Sequence, residues 1–444
     1  MKNKIKKIVH KLNSNSFWKN LFKNSFYAIL GEGGASVINL FVVVLLIRMI
    51  GSEGYGILTL AQSYMFIIDG IINMQCWRGV IKFGEEAEVA NDLESKMGYI
   101  KLGTILDIST AILGAILSFF CTNLIGHIFN WSSVLIQATQ IFSLVIVFHF
   151  SGTPTAILRM EDKFNLVAIQ KVISSILKVL AIGIILLFYG KISVLLGVII
   201  YVITDIIGHL ILIGMALFVV HKKMGIMSVI KSKFPKKTKE FIKFTVWTTL
   251  SDVVDIPVAY LDVFIVSSIS LSMVSVLKVF KQIISIVSKL TTPVYQAIYP
   301  QFSKLVAQSQ SKQAYGIVLK IRNVILKFFV PVSMLVGLTS YWWLKFIFGI
   351  DYALYWYVLC VYLIAHTVAL SYTTIHPYFA SIGKVLQSFI ICAIANIVYL
   401  AFAYCLTKWI GILGLVFAYV IQFTIVICSE KVIIEKYLKK EAKS

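Results

Sequence analysis

Negative charge is scarce in this chain. Twenty aspartates and glutamates stand against 41 lysines and arginines, and charged residues of both signs make up 14% of 444 residues. Soluble domains carry roughly a quarter. Long polar stretches are also lacking. The longest interruption, 221–240 (HKKMGIMSVIKSKFPKKTKE), is too short for a soluble domain. Cysteines are few: Cys76, Cys121, Cys360, Cys392, Cys405 and Cys428 stand singly. Their spacing suits neither a metal site nor a disulfide framework, and they are expected to be buried, reduced packing residues. A Gly-rich phosphate loop is missing, so the chain does not read as a P-loop ATPase.

What remains is apolar. Hydrophobic residues make up 59% and mean hydropathy is +0.88. They fall in blocks near 20 residues or longer, the length that crosses a hydrocarbon core of about 30 Å as a helix. About twelve spans are expected, near 25–50, 55–78, 97–121, 133–157, 164–188, 192–220, 241–267, 274–302, 317–341, 353–379, 384–407 and 410–434. The runs are continuous, without the alternation of a membrane barrel. The fold class is therefore all-α and polytopic. Residues 221–240 leave six spans on each side. The expected units are an N-terminal lobe (1–220), a basic linker (221–240) and a C-terminal lobe (241–444).

Of the 41 cations, 31 fall on one side of this arrangement, four (Arg48, Lys191, Lys345, Lys408) on the other, and six lie inside spans. By the positive-inside rule both termini are expected in the cytoplasm. The net charge of +21 then reflects topology and anionic lipid, and calls for no nucleic-acid partner. Phe17, Trp18 and Phe22 among Lys19 and Lys23 suggest an interfacial helix before span 1. No cleaved signal peptide is expected. A weak repeat six spans apart, PTAILRMEDKF ending span 4 and HPYFASIGKVL ending span 10, fits two related lobes. Pro257, Pro293, Pro300 and Pro331 read either as tolerated kinks or as bending points.

Charges inside spans are costly and usually face a cavity, a partner or a transport path. Lys171 and Lys178 share a face of span 5, and Lys278, Lys281 and Lys289 share one of span 8. Asp252, Asp255 and Asp262 do so in span 7. The short turn near 270 would set Asp262 level with Lys278 and Asp252 with Lys289. These sets read either as structural ion pairs or as the wall of a polar cavity. Lys178 and Asp205 lie mid-span and could partly pair. The lysines imply a cationic interior suited to an anionic substrate. Candidate substrate-binding residues are Lys178, Lys281, Lys171, Lys278, Lys289 and Arg48. Candidate ion-coupling residues are Asp69, Asp205, Asp255 and Glu32, since a mid-membrane carboxylate can bind and release a proton or cation. No catalytic residues, metal ligands or cofactor are expected beyond H⁺ or Na⁺ as coupling ion. His149, His209 and His366 read as packed polar residues, and Arg78 and Arg159 as topology charges.

Residues 46–62 (LIRMIGSEGYGILTLAQ) and 66–86 (FIIDGIINMQCWRGVIKFGEE) resemble the opening of bacterial Wzx-type polysaccharide flippases. These belong to the multidrug/oligosaccharidyl-lipid/polysaccharide (MOP) exporter superfamily. The matched positions are Arg48, Gly51, Tyr55 and Gly56, then Asp69, Gly70 and Arg78. Tyr299 and Pro300 in VYQAIYPQFSKL (294–305) resemble the family's exit from helix 8. The resemblance implies two six-helix lobes around a central cavity. It implies ion-driven movement of undecaprenyl-pyrophosphate-linked O-antigen or capsule oligosaccharide across a bacterial inner membrane, by a monomer beside polymerase machinery. The alternatives are a multidrug/cation antiporter of the same superfamily, a flippase for the peptidoglycan precursor, and a membrane-embedded polymerase or ligase. The last lacks a catalytic outer loop.

Overall fold

The computed structural model describes residues 15–289 and 292–441. The side chains proposed for an interfacial helix (17–23), and those of Pro257, Pro293, Tyr299 and Pro300, lie outside what it describes. Every regular element among the described residues is helical. The first half holds α1 (Asn15–Ile72), α2 (Trp77–Val89), α3 (Leu93–Ile128), α4 (Ser133–Phe148), α5 (Gly152–Met160), α6 (Phe164–Tyr189), α7 (Val194–Lys223) and α8 (Ile226–Lys231). The second holds α9 (Thr238–Val253), a π turn (Pro257–Leu261), α10 (Asp262–Ser267), α11 (Leu271–Lys289), α12 (Thr292–Ala307) and α13 (Ser311–Leu338). It continues with α14 (Ser340–Ile347), α15 (Ile350–Ala353), α16 (Trp356–Ser371), α17 (Ile375–Ser381), α18 (Val385–Ile410) and α19 (Ile412–Glu441).

Ten segments are long and apolar enough to cross a membrane. The first of them crosses twice. Gly51 (φ +78°, ψ 170°) breaks α1, in a conformation that costs any residue with a Cβ. Before the break Gly31 touches Ala168, at the start of α6. After it Gly56 touches Leu271, at the start of α11, and Gly84 then reaches Met160, back at the first end. The segment through α9 and α10 is interrupted at 254–261 and so falls below the length criterion. Counting both, the described residues hold twelve candidate crossings.

Among the described residues one interruption recurs six crossings apart. Span 4 breaks and continues as α5, and span 10 as α17. Pro154 and Pro377, the residues of the sequence echo, both sit in these short final helices. Gly190 and Gly411 make matching positive-φ reversals after spans 5 and 11.

The apolar core is one body at the Gly51 end and two bodies at the other. The large cluster runs from Val42–Met65 through Val145 and Val198 to Val263–Ile284 and Leu359–Val416, so it joins both halves. At that end the seam is tight: a Cβ on Gly56 would lie 1.9 Å from the carbonyl oxygen of Leu271. Toward the end that carries residues 221–240, one cluster gathers around Val80, Tyr99 and Leu158, and a separate one around Phe302, Tyr378 and Ile434. Phe241 from α9 belongs to the first of these. Its ring lies 5.6 Å from those of both Phe83 and Tyr99, which ties the start of the second half to the first. Outside the membrane segments, Asp92 caps α3. It accepts the Ser95 N–H (2.9 Å) and hydroxyl (2.7 Å), which hold its carboxyl below the usual range.

The cysteines are free. Cys76 and Cys360 are buried as expected, but Cys405 and Cys428 are exposed on the outside of the helices. In an apolar solvent a thiol needs no burial, so soluble-protein statistics misplace it.

Candidate functional site

Two broken spans open a polar cavity of about 500 Å³ in the first half. Span 2 loses its helix at 73–76 and span 4 at 149–151. Breaks of this kind free backbone groups and are tolerated at membrane depth only where they are satisfied by protein or line water. Asp107 satisfies much of this need. It is fully buried on α3 and accepts the Cys76 N–H (2.8 Å) and the Thr153 N–H (2.6 Å). One carboxylate thus caps the starts of both α2 and α5.

The cavity wall carries four cations, Arg159, Lys171, Lys178 and Lys289, and two carboxylates, Glu32 and Asp205. Lys178 donates to Asp205 Oδ1 at 2.5 Å, and its ammonium lies 4.5 Å from the centre of the Tyr201 ring. Glu32 is shared: Lys171 donates to Oε1 (2.8 Å) and Lys289 to Oε2 (3.0 Å). Trp77 stands at the cavity between two guanidiniums, Arg78 at 4.7 Å and Arg159 at 4.8 Å from its ring centre.

Several expected pairings are corrected. Lys278 was expected opposite Asp262 and Lys289 opposite Asp252. Instead Lys281 binds both oxygens of Asp262 (2.7 and 2.6 Å). Lys278 donates to Gln62 Oε1 (3.3 Å), and Gln62 in turn donates to the Tyr201 hydroxyl (3.1 Å). Asp252 takes a two-point bond from Arg78 (2.7 and 3.1 Å), and Lys289 goes to Glu32. For Asp252 the π turn is a cause: it lies between Asp252 and the turn near 270, so equal sequence distance from that turn no longer means equal depth, whereas Asp262 follows the π turn and is not shifted by it.

The remaining candidates are dispersed. Asp69 sits at the break of span 2, accepting from Asn73 Nδ2 (2.9 Å) and facing His149 Nδ1 at 2.5 Å. The His149 and His209 rings are 4.8 Å apart. Asp255 lies in the span 7 interruption beside a second cavity of about 320 Å³, shared with His376 and Asn396. Arg48 is exposed, three residues before the Gly51 reversal, far along the chain axis from the lysine cavity. The sequence reading passed over Arg159, His149, His209 and Gln62. Only for His209 was a signal present, since it lies four residues, one helical turn, after Asp205.

With four cations against two carboxylates on its wall, the cavity suits binding of an anion.

Residues 21–306 match the model of the family described as "Polysaccharide biosynthesis protein". A curated relative, inner membrane protein YghQ of Escherichia coli (strain K12), is 26% identical over 117 residues. That match covers 26% of this chain and a third (33%) of the relative's length. Among solved structures, an inward-facing multidrug resistance MATE family transporter of the MOP superfamily superposes with a TM-score of 0.73. It is 15% identical, with 92% of this chain and 96% of that one covered. An outward-facing MATE family transporter gives 0.60 at 13% identity, with 96% and 97% covered. A MOP superfamily transporter from Pyrococcus furiosus, described by a reverse polarity of its binding pocket, gives 0.58 at 14% identity, with 96% and 97% covered. With the family model matching well over half of its length, and with the fold shared by these MATE structures, the chain belongs to the polysaccharide biosynthesis protein family.

Proposed function

We propose that this transporter is a flippase that moves undecaprenyl-pyrophosphate-linked oligosaccharide, an O-antigen or capsule repeat unit, across a bacterial inner membrane. The observation that carries the reading is the excess of cations over carboxylates around the 500 Å³ cavity. A cation in a recess shielded from bulk water attracts phosphate far more strongly than one on a surface. An exporter of cationic drugs needs the opposite sign. The pocket polarity on which the Pyrococcus neighbour's description turns is cationic here.

In this reading both termini and the 221–240 segment face the cytoplasm, in line with the cation asymmetry. The two six-helix lobes then alternate access, and the conformation described is open to the cytoplasm: the shared core seals the Gly51 end and the core is divided at the other. A proton or sodium gradient supplies the drive, with Asp69, Asp205 and Asp255 as coupling carboxylates. The protein works as a monomer that hands its product to polymerase machinery.

The test is reconstitution. Proteoliposomes would carry the purified protein, a fluorescently labelled undecaprenyl-pyrophosphate oligosaccharide and an imposed proton or sodium gradient. Gradient-dependent loss of label from the accessible leaflet is expected. Gradient-driven efflux of a cationic dye with no lipid movement would establish the antiporter instead.

A further inference from the structure

Apart from the Lys96–Glu161–Lys223 cluster at the helix ends, three carboxylate–lysine sets lie within the spans, and one differs from the other two. Asp262 is fully buried and belongs to Lys281 alone among the lysines. Asp205 belongs to Lys178, with side chains only 18% and 10% exposed. Each is a one-to-one pair. Glu32 instead serves two lysines, one oxygen each, and all three side chains are about a third exposed (32% for Glu32, 40% for Lys171, 36% for Lys289). The three face the same cavity as Arg159.

The two lysines come from different halves of the chain, Lys171 on α6 and Lys289 at the end of α11. Nothing in a structural pair requires this. Two cations on one carboxylate are left with excess positive charge, and Arg159 adds more. The set is also open to a ligand. A single anion that offers one oxygen to each ammonium reproduces the bonds Glu32 makes. A diphosphate does so with more charge and more acceptor oxygens, and has some left for Arg159.

We infer that Lys171, Lys289 and Arg159 form a diphosphate-binding site, and that Glu32 occupies it in the empty transporter as a tethered stand-in for the ligand. Entering diphosphate displaces the carboxylate and takes over the link between the two halves. Glu32 then acts as a specificity element. It excludes weak monoanions, which cannot compete with a tethered carboxylate, and admits a ligand of higher charge. This rests on the proposed flippase reading only for the source of the diphosphate, a lipid headgroup; the anion site stands on the geometry.

The test is binding to purified full-length protein in detergent, by calorimetry, with two probes: inorganic pyrophosphate and farnesyl diphosphate. Removing the competitor by Glu32→Gln should tighten both about tenfold. Lys171→Gln or Lys289→Gln placed on Glu32→Gln should abolish that gain. Sulfate should bind wild type poorly and gain most from Glu32→Gln. Unchanged or weaker diphosphate binding in a Glu32→Gln protein that retains wild-type thermal stability would overturn the inference. Should Glu32→Gln unfold the protein, Glu32→Asp decides. Its shorter reach weakens the plug, so tighter pyrophosphate binding supports the inference and unchanged binding overturns it. Farnesyl diphosphate binding above inorganic pyrophosphate assigns the headgroup of a lipid. Equal binding assigns a free diphosphate, which retains the site and removes the flippase reading.

Discussion

Lys281→Ala is expected to lower folding stability by about 3–5 kcal/mol, the range for removing one partner of a buried ion pair. Asp262 is fully buried and receives Lys281 on both oxygens, at 2.7 and 2.6 Å, with the Tyr399 hydroxyl at 3.1 Å. Lys281 also donates to the carbonyls of Ala259 (2.9 Å) and Val258 (3.3 Å) in the π turn. Alanine would leave the buried Asp262 charge without its cation and remove these contacts to the turn. Thermal unfolding in detergent measures the effect. The paired change Lys281→Met with Asp262→Leu should recover most of it, because a buried pair costs nearly as much to desolvate as it returns. Wild-type unfolding of Lys281→Ala would disprove this role. Lys281 is therefore committed to the fold, and it is not among the residues that line the 500 Å³ cavity.

Lys178→Ala should reduce lipid translocation in the reconstituted assay by more than tenfold, with part retained in Lys178→Arg. Lys178 lines the cavity, and its pairing with Asp205 and contact with Tyr201 hold the ammonium at the cavity wall. Two roles compete here, attracting substrate and neutralising Asp205. Lys178→Ala with Asp205→Ala separates them. Stability should return in the double variant, since no unpaired charge is left, while translocation stays low. Recovery of translocation would leave Lys178 as a structural partner only. Lys436 in the exposed tail of α19 is the control, and its alanine variant should be neutral.

The helical class and the membrane-length apolar segments were legible because membrane length acts locally on sequence. The cationic interior was legible too, from lysines spaced on single faces. The partners were not. Depth-matching across a turn assumes unbroken helices, and the π turn after Asp255 shifts the register of span 7. Asp107 looked like another in-membrane charge, yet it satisfies two N–H groups from breaks that no periodicity marks. His149 showed no companion in sequence, because Asp69 is 80 positions away. Arg159 followed the statistics of helix ends, although the break of span 4 turns it into the cavity.

Trp77 gives the cavity an optical consequence. Its indole is held between the guanidiniums of Arg78 and Arg159. Arg78 is committed to Asp252 in the other half, whereas Arg159 points toward the ligand space. An anion that draws Arg159 off the ring changes the polarity and quenching felt by this tryptophan, and separation of the halves at Asp252 changes it from the other face. With the other seven of the eight tryptophans replaced, the emission of Trp77 thus reads both occupancy and opening, with no dye attached.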